Sequence, residues 1–505
     1  MAVSFNTIPA GNGLMTPLFY AEIDNSAAYT PGNSNVALLF GQMLDTGTAT
    51  ANKPVAVGSA DMAVKLFGRG SQLARMVSAY RATDMLGTLY CIPVEDATTG
   101  TKATATVTVT GTASESGTVF LYIGADLVKV GVAAKDAATT VATAIVTAIN
   151  ANGALPVTAT AAAGVVTITA RNAGTLGNAI LIRKNVKGLI GGEADIVGLG
   201  VEITGMTGGA TDPTLTDAIK AMGSEPYEYI GVPYCDSTTL DAFKDVMNDT
   251  SGRWGPYDML YGHVFTVKRG DFNTLLTFGK TRNDQHCTTF SLEPTFGSWD
   301  PEVLAAIVAR TKIFIDADPA RPTQTGQLIG ITGAPVGEMF ELTERNTLLQ
   351  NGMATLKSVS GVVQIERSVT NYRVNSYGEQ DLSYLDCETL FTSAYVIRYL
   401  KGIITSKYGR HKLANDGTNF GPGQAVVTPS IIRAELTVAY AKLEREAIVE
   451  NAELFEKYLV VERDADNVNR MNVLFPPDYV NQLRVFALLN QFHLAELGSQ
   501  HTLHS

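Results

Sequence analysis

The sequence is short of the residues that carry most metal and nucleophile chemistry. Its 505 residues include 4 cysteines and 6 histidines. Cys91, Cys235, Cys287 and Cys387 are far apart, with no CxxC pair and no zinc-ligand spacing. Such a set fits a reducing compartment and buried, inert thiols. The histidines stand singly, without HExxH; His501 and His504 fall at the very end, where adventitious metal binding is the expected chemistry. Positive charge is scarce too. Lys and Arg number 38 against 49 Asp and Glu, a net charge of −11. That argues against a large phosphate-binding surface, and so against direct nucleic-acid contact. No stretch approaches the ~18 uninterrupted apolar residues of a membrane span, so no stable membrane insertion is expected. The opening MAVSFNTIPAGNG has neither the basic nor the apolar region of a signal peptide, which predicts cytoplasmic synthesis.

Fragments of catalytic motifs do not hold together. Gly279-Lys280-Thr281 has Thr274 where a phosphate loop requires glycine. GVEITG and GPGQAV lack the spacing of a dinucleotide turn. Asp284, His286 and Cys287 offer the parts of an activated thiol, but a thiolate needs a base brought near by the fold. Their place at the start of an expected strand equally fits packing. Asp464, Asp466 and Asn467 begin like a calcium loop, yet Val468 stands at a ligand position and no glycine follows. No catalytic residue, cofactor site or metal site is assigned.

What is present is length, hydrophobic patterning and sharp changes of composition. At 505 residues, several domains are expected. NVALLFGQM (residues 35–43) and GTLYCIPV (87–94) read as buried strands, with one helical pattern over 62–83 between them. From 98 to 209 the chain is mostly Thr, Ala, Val and Gly. ATATVTVT, TVFLYIG and GVVTITA alternate with period two, around one helix at 136–152. A folded β-rich insert and a low-complexity segment are the two readings of this stretch. Strands and helices then alternate, as in a sheet with helices packed on it; strands are read at 227–234, 258–267 and 286–293. Residues 354–372 read as a hairpin turning at Ser360-Gly361. Two helices, 386–408 and 429–454, precede strand-like 455–464.

Both ends are apolar and strand-like: TPLFYAEID (16–24) and MNVLFPPDYVNQLRVFALLNQF (471–492). Ends of this kind need a sheet edge, and that edge can belong to another chain. Leu18, Phe19 and Tyr20 at one end, and Leu483, Val485, Ala487 and Leu488 at the other, are the residues expected to seat between subunits. The helix from Ile431 carries Arg433, Glu435, Lys442 and Arg445. It reads either as a solvated surface helix or as a docking face for a charged partner.

These pieces, in this order, resemble the contractile-tail sheath proteins of the Mu-like phages. PLFYAEIDNS resembles the family's opening. TVTVTGTASESGTVFLYIG with ARNAGTLGN resembles its protruding domain, ERNTLLQNGMATLKSVSGVVQIERSVTNY its hairpin region, and the last apolar segment its C-terminal arm. The resemblance implies an α/β, multidomain (α+β) protein with a subtilisin-like core in architecture only. The implied divisions are an N-terminal arm (1–26), a first core part (27–97), an inserted β-rich protruding domain (98–209), the rest of the core (210–385), a C-terminal sheath domain (386–470) and a C-terminal arm (471–505). It implies hexameric rings of this chain stacked around a tail tube protein. Baseplate and tail terminator proteins are further partners. The place is the virion, and the mechanism is a contraction that drives the tube through a host envelope. The sheath of a type VI or tailocin-like injection system shares that mechanism. A surface-layer protein or adhesin, and an α/β hydrolase, are the remoter alternatives.

Overall fold

The computed structural model describes residues 35–421 and 423–492. Leu18, Phe19 and Tyr20, and with them His501 and His504, lie outside the described residues.

The body begins with β1 (Ala37–Gln42), β2 (Val55–Ala56), α1 (Ala60–Phe67), α2 (Gln72–Arg81) and β3 (Leu89–Val94). The single helix expected over 62–83 is two helices. Gly68 and Gly70 have φ of 86° and 80°, which ends the first, and the Ser71 hydroxyl accepts the Ala74 N–H to start the second. Residues 104–203 form a separate layer of β4 (Thr104–Gly111), β5 (Gly117–Ile123), β6 (Asp126–Val132), α3 (Ala138–Ala151), β7 (Val157–Ala162), β8 (Val165–Ala170), β9 (Ile182–Lys184) and β10 (Leu199–Ile203). The chain then returns to the body as α4 (Thr216–Lys220), β11 (Tyr229–Gly231), α5 (Ser237–Met247), β12 (His263–Arg269), α6 (Phe272–Thr281), β13 (Cys287–Leu292) and α7 (Asp300–Ala317).

Parallel strands β13, β12, β11, β1 and β3 lie side by side in that order, with β2 antiparallel at the β3 edge. Every residue of β1 is buried. Ala37 and Leu39 enter one core with residues of α1, α2 and α7, while Leu38 and Phe40 enter another with α4 and α5. Alternation of side chains along a strand therefore fills both faces, as a parallel sheet requires. Residues 303–309 of α7 are wholly buried. That run has no polar face because the sheet and its neighbours surround it.

The layer from 104 to 203 contains the antiparallel sheets β10-β4-β8-β7 and β6-β5-β9, and α3 closes its own core. On β4, buried Ala105, Val107 and Val109 alternate with more exposed threonines. The Thr/Ala-rich composition thus belongs to folded strands with one covered face. Thr101 and Ala210 exchange both backbone hydrogen bonds (3.0 and 3.3 Å) where the layer leaves and rejoins the body. Trp299 of the body completes the layer's core and donates its indole N–H to the Leu176 carbonyl at 2.8 Å.

Beyond α7, α8 (Leu342–Gln350) leads to the hairpin β14 (Thr355–Val359) and β15 (Val362–Arg367). Its two turn residues, Ser360 and Gly361, have φ of 52° and 81°, the pair of positive values of a type I′ turn. Ala354 bonds Thr289 and Ser291, so this run continues the β13 edge. The rest is α9 (Cys387–Tyr408), β16 (Lys412–Leu413), β17 (Val426–Val427), α10 (Pro429–Arg445), α11 (Ala452–Tyr458), β18 (Val460–Arg463) and β19 (Met471–Leu474). The helix expected to reach Leu454 stops at Arg445. Ala447 and Asn451 turn to positive φ (56° and 59°), and Val449 instead bridges Tyr479. Phe455, expected in a strand, lies in α11 and stacks on Tyr440 at 3.8 Å. The expected strands at 227–234 and 258–267 are shorter, beginning at Tyr229 and His263.

The Thr101–Ala210 pair predicts that residues 102–209 can be replaced by Asn-Gly, because an antiparallel pair bonded both ways closes over a two-residue turn. Trp299→Ser, which removes the uncovered indole and supplies a cap for α7, should accompany the deletion. The shortened chain should unfold in one cooperative calorimetric transition. A chain that stays unfolded or aggregates would show that the layer is needed to fold the body.

Candidate functional site

The body offers no reaction centre where its topology would put one. Open parallel sheets take ligands outside the carboxyl ends of the strands, where strand order reverses, which here is between β1 and β11. That crevice is filled by a buried polar network. The Gln72 Oε1 accepts the Gln42 N–H (2.7 Å) and the Tyr234 hydroxyl (3.2 Å). Asn172 of the inserted layer accepts the Gln72 N–H (2.9 Å), and the Asp96 carboxylate receives Gln42, Asn172 and Ala173 at 2.7–2.9 Å. The network locks the inserted layer onto the body.

The fragments noted in the sequence have structural occupations. Gly279-Lys280-Thr281 ends α6, where carbonyls rather than N–H groups are left over, so it offers no phosphate cradle. The Nε2 of His286 meets Asp249 at 2.7 Å and the ring stacks on Trp254. Cys287 is buried, and burial pushes its thiol well above the ordinary range, the reverse of activation. Burial likewise raises Cys91, Cys235 and Cys387. Asp464 accepts the N–H groups of Asp466 and Asn467 (3.0 and 2.8 Å) in the turn between β18 and β19. Among the described residues no cluster of His, Cys, Asp and Glu has metal-ligand geometry, and no helix is long and apolar enough to cross a membrane.

The surfaces that remain belong to the C-terminal segment and to α10. Residues 471–474 pair with β18 from Met471↔Arg463 to Leu474↔Val460. After Pro476-Pro477, the Tyr440 hydroxyl accepts the Asp478 N–H (3.1 Å) and donates to the Glu450 carbonyl (2.6 Å). Gln482 donates to the Ala320 carbonyl (2.9 Å), and Gln324 to the Leu483 carbonyl (3.1 Å). Arg484 lies 3.1 Å from Asp386 and 3.2 Å from Glu388, which is fully buried. The chain then stands off the body. Leu483, Val485 and Leu488 are 70%, 78% and 77% exposed, Ala487 is exposed with them, and 481–492 form no ladder. Beside this tail an apolar groove of about 810 Å³ runs along α9, lined by Ile397, Leu400, Ile404, Leu413, Ile432 and Val473.

The charges of α10 fall into two sets. Glu435 is engaged by Lys407 (2.7 Å) and Tyr408 (2.9 Å), and Arg433 donates to the Glu456 carbonyl (2.9 Å). Lys442 is exposed, 3.9 Å from Glu446 and over the Tyr399 ring; Arg445 is exposed and forms no ion pair among the described residues. Arg484 escaped the sequence reading. A lone cation between Leu483 and Val485 in an apolar tail was the available signal.

Residues 208–371 match the phage tail sheath protein central domain, and residues 379–493 match the phage tail sheath C-terminal domain. Over 502 residues the chain is 40% identical to the Mu-like prophage FluMu tail sheath protein of Haemophilus influenzae, covering 98% of this chain and 100% of that one. The chain belongs to the phage tail sheath protein family. Among solved structures, it is similar to a sheath tail protein of Desulfitobacterium hafniense (TM-score 0.49, 12% identity, covering 93% of this chain and 97% of that one). It is also similar to the helical sheath of the anti-feeding prophage in its contracted state (TM-score 0.46, 11% identity, covering 95% and 99%). The family assignment rests on the 40% identity. This is a structural sheath subunit of a phage tail, and its family is not one of enzymes.

In this sheath subunit, the Asp284–His286 segment makes a pH prediction. Burial raises the Asp284 carboxyl above its ordinary value, against the His286 N–H and the nearby charges of His286, Lys244 and Arg282. A raised folded value means that its contribution is complete below the unfolded value and is lost as pH rises through the folded one. Asp284→Asn keeps the acceptor for the His286 N–H and cannot ionise. It should raise the melting temperature at about pH 8, with the gain vanishing near about pH 3. A gain that is the same at both ends of that range would contradict it.

Proposed function

We propose that this subunit polymerises as stacked hexameric rings around a tail tube, and that contraction of the sleeve drives the tube through a host envelope. One observation supports the reading: an apolar segment, 485–492, leaves the body with nothing among the described residues to cover it. Leu483, Val485, Ala487 and Leu488 seat on a neighbour, and Leu18, Phe19 and Tyr20 do the same from the other end. The two-stranded β18–β19 sheet has both outer edges unpaired among the described residues, so it can accept strands from other copies. About five backbone hydrogen bonds contribute roughly 2–7 kcal/mol gross, and ordering the segment costs a comparable amount. One arm then binds weakly, and several arms together bind firmly. Polymerisation therefore needs a template, which the tube and baseplate supply, with a tail terminator closing the far end. The subunit is made in the host cytoplasm and has no enzymatic role.

Val485→Pro should leave a folded, soluble subunit that builds no stable sheath, because proline cannot donate to a ladder. The measurements are a thermal melt and microscopy of the tail made with its neighbouring proteins. A normal contractile sheath from this variant would refute the role of the arm.

In the same reading α10 faces the tube and the inserted layer lies at the outside, so the chain lacking 102–209 still assembles. Arg433, Glu435, Lys442 and Arg445 supply the tube-facing charge; the exposure of Lys442 and Arg445 supports contact from those two first. Exposed ion pairs at up to about 1 kcal/mol each can form in parallel and break in sequence. Lys442→Glu with Arg445→Glu should reduce the sheath bound per tube, and raised salt should do the same to the wild type. Equal decoration by the variant would place the tube contact elsewhere.

A further inference from the structure

Two arginines fasten both ends of the described chain to α9. At the entrance, the Val36 N–H donates to the Glu228 Oε2 (2.7 Å), and the Asn35 side chain donates to Asp316 (2.6 Å). Arg398 of α9 reaches the Glu228 Oε1 at 3.0 Å and the Asn35 Oδ1 at 3.5 Å. At the exit, Arg484 sits between Asp386, which caps α9, and Glu388 in its first turn. Midway along the helix, Ser393 donates to the Tyr479 hydroxyl (3.0 Å). The attachment points Glu388 and Arg398 are therefore about 15 Å apart on one helix, at 1.5 Å per residue.

These are not ordinary surface pairs. Glu228 and Glu388 are 6% and 0% exposed. Burial raises the Glu228 carboxyl, and Arg398 and the Val36 N–H oppose that rise. Glu388 is further fixed by the Thr323 N–H (2.8 Å) and hydroxyl (2.7 Å). Their positions matter mechanically. Val36 runs straight into β1, which lies between β11 and β3 in the body sheet. Tension applied at Asn35 without an anchor would pull β1 out of the sheet. At the other end, the same tension would open the single bridge at Tyr479 and the four-residue β19.

We propose that Arg398 and Arg484 are the moorings of the two arms, tying each to α9 so that tension on an arm is taken up before it reaches β1 or β19. This rests on the reading above, in which the arms cross to neighbouring subunits. Cys387 and Phe391 set the first half of α9 in the body's core, where Phe391 stacks on Tyr229, so the helix is a fixed point for both arms.

The test uses two doubly neutral variants of the full chain, Glu228→Gln with Arg398→Met and Glu388→Gln with Arg484→Met, so that no buried charge is left unpaired. Each is made with the tube protein, and the polymer is titrated with guanidinium while free subunit is measured. Either variant should still polymerise, with free subunit in equilibrium raised by roughly tenfold or more. Polymer as resistant as wild type would overturn the moorings while leaving the proposed function intact. Failure of the wild type to polymerise would instead count against the proposed function. Amide exchange of the soluble subunit decides the mooring in that event, or if a double variant does not fold. Arg398→Met should speed exchange at Val36 by roughly tenfold with Leu39 unchanged. Unchanged exchange at Val36 would overturn the mooring.

Discussion

A parallel sheet has to be buried on both faces, and the rest of this subunit is arranged around that constraint. Its strands connect through crossovers long enough to hold helices, and those helices cover the sheet. One face receives α7, whose residues 303–309 are apolar on every side, together with α1 and α2; the other receives α4 and α5. The edges are partly closed as well. Strand β2 covers β3, and the run through Ala354 covers β13. The coverage is short at both edges, since β2 pairs two residues with β3 and Ala354 makes one bridge to Phe290.

The same constraint explains the silence of the chemical motifs. Elsewhere, the reversal of strand order in such a sheet makes a binding crevice. Here Gln42, Gln72, Tyr234, Asn172 and Asp96 bond one another in that space, with the Gln72 Nε2 left without a partner among the described residues, and Gln42 and Gln72 are 1% and 0% exposed. Hydrogen bonds that could hold a ligand instead hold the inserted layer. A rigid joint is what a subunit needs if it is to move as one piece.

Where local pattern and long-range packing agree, the sequence is readable. Buried runs give β1, β3 and β13. Strict alternation gives β4 and β8, and Ser360-Gly361 can hardly be anything but a tight turn. Reading fails where a distant partner decides. A helical pattern continues through Ala447, but Val449 bonds Tyr479, thirty residues away, and the helix breaks. Phe455 has a strand-like neighbourhood, yet Tyr440 holds it in a helix. Of the expected assembly residues, the C-terminal set is exposed, and its uninterrupted apolar run, too short to build a core of its own, was the sequence signal. The anchoring of that run could not, because Arg484 meets Asp386 and Glu388 about a hundred residues back in the chain.

Net charge adds a constraint on how such subunits can associate. Each copy carries −11, so closely packed copies repel one another. Within a Debye length of about 8–10 Å that repulsion is only partly screened. In the proposed assembly, apolar burial has to outweigh that repulsion, and the tail from Val485 to Phe492 is apolar without a single charged residue. The proposed contact with a tube through Lys442 and Arg445 would have the opposite character, since it would be attractive only while unscreened. Salt then acts in opposite directions on the two contacts, relieving repulsion between copies and weakening the grip on the tube. A sleeve joined by apolar straps and resting on its tube through exposed charge can let go of the tube and keep its own subunits together.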